Sequence, residues 1–480
     1  MPTHAEAQDV DMVPLVSDEA TTLLSLPPDL VAQVLAHVEL VSLGAVACSC
    51  CEFQLLLAGI SIRHILAAGA HHSAFASNGD RLLTCGTDEN RRGILGHGRL
   101  EGVDPLTAYL HPTPTVTPCS PASRVVAVAT HSLHTLALTA AGEVYSFGYG
   151  VMGQLGHGDT QTCWHPKHIE ALHGVHVKGI AAGEQHSLVV DHLGVAYSFG
   201  SGFSGKLGLG DQCPRSVPFR IAACPTGEEG LDVATEAVAA VAAGACHTLL
   251  VTAGGALYTC GAGVMGQLGH GSKHHELHPR RVAALASTAV VQAAGGLHHS
   301  LAVDREGRCF SWGSGEARER TSSFLGGFLG HQSLEDQLVP RGIQALLGVR
   351  VHHVAAGSYH SMALTADGAV YTWGDGGGGK LGHNDDERMH WVPQRVAALN
   401  GMPAAAISAG ESHCLCVLRD GQILGWGAGC AIGLGHEVMR LREAVPASWG
   451  SAGNYEWTPG DVLRSWQAHL PTKVRLATEC

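Results

Sequence analysis

The sequence predicts an all-β fold, a seven-bladed β-propeller whose blades hold about four antiparallel strands, preceded by a small α-helical module. Three observations predict it. One short phrase recurs seven times along the chain. Each copy leads into two alternating apolar runs joined by a glycine turn, the pattern of an antiparallel hairpin. Glycine reaches 63 of 480 residues, about twice its usual share, without the G-X-Y period of a triple helix. Glycines spread in this way serve turns.

The phrase is small-small-Gly, two variable residues, His, then Ser or Thr. It reads AAGAHHS at 67–73, ATHSLHT at 129–135, AAGEQHS at 181–187, AAGACHT at 242–248, AGGLHHS at 294–300, AAGSYHS at 355–361 and SAGESHC at 408–414. The aligned histidines are His72, His134, His186, His247, His299, His360 and His413, spaced 52 to 62 residues apart. After the phrase comes an apolar run such as Leu249–Val251 or Met362–Leu364, then a turn such as Asn78-Gly79, Ala141-Gly142 or Asp367-Gly368. A second run ends in an aromatic residue or Cys before Gly: Cys85, Phe147, Phe199, Cys260, Trp312, Trp373 and Trp426. A Leu-Gly pair follows, as in QLGHG at 154–158 and 267–271. Most units close on Pro-x-x-Val/Ile, as at Pro166–Ile169, Pro279–Val282, Pro340–Ile343 and Pro393–Val396.

Four short strands cannot bury both faces of one sheet. Radial stacking covers each face with the neighbouring sheet, and small Ala-Ala-Gly residues suit a crowded axis. The blades are expected at 60–118, 119–173, 174–235, 236–287, 288–347, 348–401 and 402–480. The phrases GxxHS and GxGxxGQLGHG resemble the regulator of chromosome condensation repeat. That resemblance implies a seven-bladed ring presenting its faces to protein partners. Three stretches break the pattern and are where specific function is expected, because loops tolerate change that sheets do not. They are Cys85-Gly86-Thr87 with Arg91-Arg92, the insert Glu316–Phe328, and the stretch from His436 to Pro471.

Residues 23–58 read differently. Leu30, Val34 and Val38 recur at helical spacing, as do Leu43, Val46 and Cys50, and Pro27-Pro28 suits a helix start. This segment resembles an F-box, the small helical module that docks on a Skp-type adaptor of a cullin ubiquitin ligase. The resemblance implies adaptor contacts at Leu26, Pro27, Leu30, Val34, Leu35, Leu43 and Val46. Its usual Trp is missing, with Phe53 the nearest stand-in. The alternative is a helical cap over one propeller face. Residues 1–22 are expected to form a disordered acidic N-terminus, and 60–480 the propeller.

Charge and composition exclude several classes. The net charge is −13, and from Met1 to Ile62 there is no Lys or Arg against eight acidic residues. A basic arm for nucleic-acid phosphates is absent there, so direct DNA binding is not expected. No apolar run has the ~18 residues of a membrane span. Fifteen cysteines without a framework suit reduced thiols in the cytoplasm or nucleus.

Candidate chemistry reads as structural. G-x-G-x-x-G recurs at 148–153, 200–205, 261–266 and 374–379, but each copy precedes Leu-Gly and another turn instead of opening a helix. The repeated histidines read as buried hydrogen-bonding groups, because one role is copied around a ring. His274, His275 and His278 form a local cluster without a Cys or carboxylate to complete a metal set. Cys48, Cys50 and Cys51 fit small core positions. No catalytic order of Ser-His-Asp or Cys-His stands out, so no enzyme, cofactor or metal is expected. One subtype of the family, the plant ultraviolet-B photoreceptor, carries Trp just after the Gly of GxxHS. Those places here hold Glu184, Ala245, Leu297 and Ser358, so no ultraviolet-B response is expected. The function expected is a protein-binding scaffold, a substrate receptor of a Skp-cullin-F-box ubiquitin ligase with the target protein held on the propeller loops. The alternatives are nucleotide exchange on a Ran-type small GTPase, as in the family's founding member, and a plain scaffold.

Overall fold

The computed structural model describes residues 66–76, 82–88, 92–98, 109–114, 124–221, 236–316, 326–383, 389–420, 422–427 and 472–473. All described residues belong to the unit Leu55–Cys480.

Each blade is a four-stranded antiparallel meander in chain order. Blade 1 holds β1 (Leu66–Ala68), β2 (His72–Ala76), β3 (Leu82–Gly86) and β4 (Tyr109–Pro114). Blade 2 holds β5 (Val125–Thr130), β6 (His134–Thr139), β7 (Val144–Gly148) and β8 (Cys163–His168). Blade 3 holds β9 (Val177–Ala182), β10 (His186–Asp191), β11 (Ala196–Gly200) and β12 (Arg215–Arg220). Blade 4 holds β13 (Val238–Ala243), β14 (His247–Thr252), β15 (Leu257–Gly261) and β16 (Glu276–Arg281). Blade 5 holds β17 (Val290–Gly295), β18 (His299–Asp304), β19 (Cys309–Gly313) and β20 (Gln337–Gly342). Blade 6 holds β21 (Val351–Ala356), β22 (His360–Thr365), β23 (Val370–Asp375) and β24 (Met389–Arg395). Blade 7 holds β25 (Ala404–Ala409), β26 (His413–Leu418), β27 (Ile423–Gly427) and β28 (Thr472–Lys473).

The expected all-β, seven-bladed architecture is therefore observed. The first strand of each blade contacts the first strand of the next, so these strands are innermost. Their sequences are rich in Ala and Gly, which lets seven strands converge. The fourth strand is outermost and carries the repeat proline in blades 2 to 6, at an edge where a missing N–H costs nothing. Single 3-10 turns such as Glu170–Leu172 and Ala283–Leu285 return the chain to the axis and bury one Leu each. Among the described residues no helix is long and apolar enough to cross a membrane.

The core lies between blades, not within them. Seven apolar clusters each combine residues of two adjacent blades. One joins Leu66, Phe75 and Cys85 of blade 1 to Ala406, Leu415 and Val417 of blade 7, which closes the ring. Blade 7 takes its fourth strand from Thr472–Lys473, paired with Gly425 and Leu424. Polar contacts at the closing seam are Ala68 N to Ser408 Oγ at 3.0 Å and Glu411 N to Gly69 O at 3.1 Å.

Candidate functional site

The repeat histidines form a closed circle of bonds between blades. Each Nε2 meets the residue that follows the aligned histidine of the next blade. The pairs are His72–Thr135 at 3.0 Å, His134–Ser187 at 2.7 Å, His186–Thr248 at 3.1 Å and His247–Ser300 at 2.9 Å. The circle continues through His299–Ser361 at 2.9 Å and His360–Cys414 Sγ at 3.1 Å, and returns through His413–Ser73 at 2.9 Å. The hydroxyls spend their own proton on a loop carbonyl, as in Ser187 Oγ to Gln154 O at 2.8 Å and Thr248 Oγ1 to Lys206 O at 2.7 Å. Where the partner's proton is used in this way, in six of the seven pairs, the ring nitrogen must donate, which fixes the Nε2–H tautomer; Nδ1 is without a hydrogen-bond partner in all seven. Burial first, and neighbouring imidazoles second, push His72, His299 and others down to about 3. These histidines are neutral and sealed. They hold blades together and present no chemistry to a substrate.

A second histidine set acts inside blades. His157 Nε2 meets Ser146 Oγ at 3.0 Å while that hydroxyl donates to Leu155 O at 2.6 Å. His270, His331 and His383 repeat this with Thr259, Ser311 and Thr372 at 2.8–2.9 Å. The three tryptophans Trp312, Trp373 and Trp426 are fully buried. Trp312 Nε1 donates to Gln267 O and Trp373 Nε1 to Phe328 O, both at 2.9 Å. The recurrent glycines of G-x-G-x-x-G serve packing. A Cβ on Gly153, which sits at φ +80°, would lie 2.7 Å from Ser216 Cα of the next blade. His275 Nδ1 accepts from Gly263 N at 3.3 Å, and no metal-binding group of three His, Cys, Asp or Glu occurs among the described residues.

Variation concentrates at one end of the ring. There the loops between first and second strands crowd the axis, and the longer loops between third and fourth strands lie outside them. In six blades the inner loop starts with Gly: Gly69, Gly183, Gly244, Gly296, Gly357 and Gly410. A Cβ on Gly183 would lie 2.2 Å from His186 Cε1 and 2.6 Å from Gly244 O, so the slot excludes side chains. Blade 2 breaks the rule with His131, whose Nδ1 meets Ser132 Oγ at 2.8 Å. Burial and the charge of Lys206 push His131 down to about 4.

The outer loop has a slot just before Leu-Gly, filled by Ile94, Gln154, Lys206, Gln267, Phe328 and Lys380 in blades 1 to 6. Both lysines are nearly sealed, at 2% and 6% exposure. Lys380 pairs with Asp375. Lys206 has Ser201 at the place of Asp375, and no carboxylate among the described residues ion-pairs with it. In the same loop Ser204 holds φ 59°, a left-handed conformation unusual for a residue with a Cβ. Beside it Phe203 is 68% exposed, and the matching loops of blades 2 and 4 expose Val151 and Val264. In blade 1 the departing loop is tied down by Asp88, which accepts from Arg92 N at 2.6 Å and Gly93 N at 2.7 Å. Arg92 lies over the Tyr149 ring at 5.4 Å. The blade 5 insert is pinned at its base by a Glu316–Gly326 bridge.

The adaptor positions Leu26, Pro27, Leu30, Val34, Leu35, Leu43 and Val46 lie outside the described residues, as do the acidic 1–22 segment and Cys48, Cys50 and Cys51. Sequence reasoning missed His131 and Lys206. The signal for His131 was present, since ATHSLHT is the one phrase without its Gly.

The regulator of chromosome condensation (RCC1) repeat model matches residues 141–190, 194–251, 254–303, 306–364 and 367–417. The ultraviolet-B receptor UVR8 of Arabidopsis thaliana is 35% identical over 381 residues, 78% of this chain and 80% of that protein. The human E3 ubiquitin-protein ligase HERC2 is 37% identical over 295 residues, 61% of this chain but 6% of that protein. The crystal structure of human WBSCR16 shares the fold with a TM-score of 0.62 at 24% identity, covering 74% of this chain and 86% of that one.

Proposed function

Because the chain belongs to the regulator of chromosome condensation repeat family, we infer that it works as a protein-binding scaffold, and that its finer role is substrate recognition for a Skp-cullin-F-box ubiquitin ligase. The observation that carries this is the order of parts. A segment with the LPPDL…VL…L…V pattern of an adaptor-binding module precedes a ring whose frame repeats and whose loop tips do not. A receptor of this kind makes and breaks no bonds. It raises the target's effective concentration beside the transferring enzyme. The F-box-like segment at 23–58 would recruit the adaptor through Leu26, Pro27, Leu30, Val34, Leu35, Leu43 and Val46, and the ring would hold the target. The protein is assigned to the cytoplasm or nucleus on this reading.

A pull-down with a purified Skp-type adaptor tests it. The full chain should retain the adaptor, and Leu30→Asp with Leu35→Asp should abolish retention. An adaptor that ignores the wild type, or binds the double variant equally, removes the ligase role. Release of labelled nucleotide from a Ran-type GTPase, accelerated by the purified chain, would replace the scaffold reading with the exchange-factor one.

A further inference from the structure

Lys206 is a buried cation without a counter-charge among the described residues, and the ring itself shows what completes such a lysine. In blade 6 the carboxylate of Asp375 meets Lys380 Nζ. In blade 3 Ser201 takes the place of Asp375. Glu184, at the tip of the inner loop of blade 3, makes no ion pair with Lys206. Burying an ammonium without a partner is costly, so a fold that keeps one leaves a place for an anion. Lys206 is 2% exposed, and its Nζ is not among the sealed polar atoms that lack a partner.

The surroundings say what kind of molecule brings the anion. Phe203, three residues before Lys206, is exposed to solvent next to the left-handed Ser204. Val151 and Val264 are 46% and 48% exposed on the matching loops to either side. An inorganic ion would satisfy Lys206 and leave this apolar arc in water. A polypeptide satisfies both.

The geometry points to a docking site on blades 2 to 4 for a protein segment with an Asp or Glu flanked by apolar side chains, the carboxylate meeting Lys206 and the apolar groups covering Phe203, Val151 and Val264. The inference rests on the scaffold reading and names the chemistry of the target.

A phage-displayed library of random peptides, panned on the full chain, tests it. Enriched peptides should carry Asp or Glu beside apolar residues. Their synthetic forms should bind Lys206→Gln and Phe203→Ser at least about ten-fold more weakly, as expected for an anchor contact. Ser201→Asp should weaken binding as strongly, because it supplies the missing carboxylate from within. Lys206→Gln installs the residue that blades 2 and 4 carry in this slot as Gln154 and Gln267, so a melting temperature no lower than the wild type's serves as the folding control. Failure to enrich any peptide, enrichment of peptides without an acid, or equal binding to Lys206→Gln overturns the site. The adaptor pull-down reads residues 23–58 and is independent. Adaptor capture without acidic peptides sinks this inference alone, and acidic peptides without adaptor capture sink the ligase role alone.

Discussion

At the seam between blades 6 and 7, Lys380 meets Asp375; at the seam between blades 3 and 4, Lys206 meets no carboxylate among the described residues. The frame around the two is the same. Lys206 O accepts from Thr248 Oγ1 at 2.7 Å, and Lys380 O accepts from Cys414 Sγ at 3.1 Å. In both, the structural work is done by the backbone carbonyl. The side chain at this slot is therefore released from holding the seam, and six blades fill it with Ile, Gln, Lys or Phe. The comparison teaches where a ring of copies can acquire a binding function: at slots where main chain carries the fold and side chain is spare.

What both seams share should dominate the response to acid. The circle histidines are neutral in the folded ring, with His134, His247 and His413 pushed down to about 3 and His186 and His360 held well below the ordinary imidazole value, all by burial first. Above the ordinary value of 6.5 the folded and unfolded forms bind equally few protons, and stability is full. Between 6.5 and about 3 only the unfolded chain gains protons, so stability falls as pH falls. Each histidine costs about 1.4 kcal/mol per pH unit in that window, and seven cost on the order of 10 kcal/mol per unit. Against the ordinary 5–15 kcal/mol of a folded domain, cooperative unfolding is expected at roughly pH 5 to 6. Tryptophan fluorescence and circular dichroism across a pH titration check this. A ring intact at pH 4 would mean that the circle does not govern the seams.

The difference between the seams gives the next largest effect. Asp375→Ala removes the partner of a lysine that is 6% exposed, and should destabilise by about 3–5 kcal/mol, the cost of breaking a buried pair from one side. Lys206→Met in the other seam removes an uncompensated buried cation and should leave the melting temperature undiminished or raised. Denaturant titrations of both variants make the contrast. Equal losses would show that Lys206 is already satisfied.

The repeat made the ring legible: seven aligned phrases fix blade number, strand order and the position of each histidine. What the phrases do not carry is which blade a residue serves. His186 looks like a residue of its own strand, yet its bond goes to Thr248 of the next blade. Trp312 looks like core packing, yet its indole N–H holds the loop carbonyl of Gln267 across a seam. The Lys206 and Lys380 slots align by eye in GKLG, but the contrast between Ser201 and Asp375 gains meaning only when the loop folds back and puts position 375 against 380. Periodicity reports which face a side chain takes. It is silent on contacts made between different copies.

Cys414 gives the smallest effect and the finest distinction between seams. In the other six seams the atom bonded to the circle histidine is a Ser or Thr oxygen. Here it is a buried sulfur, a weak acceptor and a weak donor, 3.1 Å from both His360 Nε2 and Lys380 O. The same seam leaves Trp426 Nε1 buried without a partner, whereas Trp312 and Trp373 donate to Gln267 O and Phe328 O. Those two carbonyls are shared with the Ser300 and Ser361 hydroxyls at 2.8 Å. The larger sulfur on Lys380 O coincides with the lost indole bond. Cys414→Ser should restore the oxygen found elsewhere, recover the indole contact, and stabilise by about 0.5–1.5 kcal/mol, the net value of one such bond. Thermal melting followed by circular dichroism should show a rise of a few degrees, on the order of 2–4 °C. A fall would mean that the sulfur fills space here which an oxygen leaves empty, and that this seam is built to different dimensions from its six counterparts.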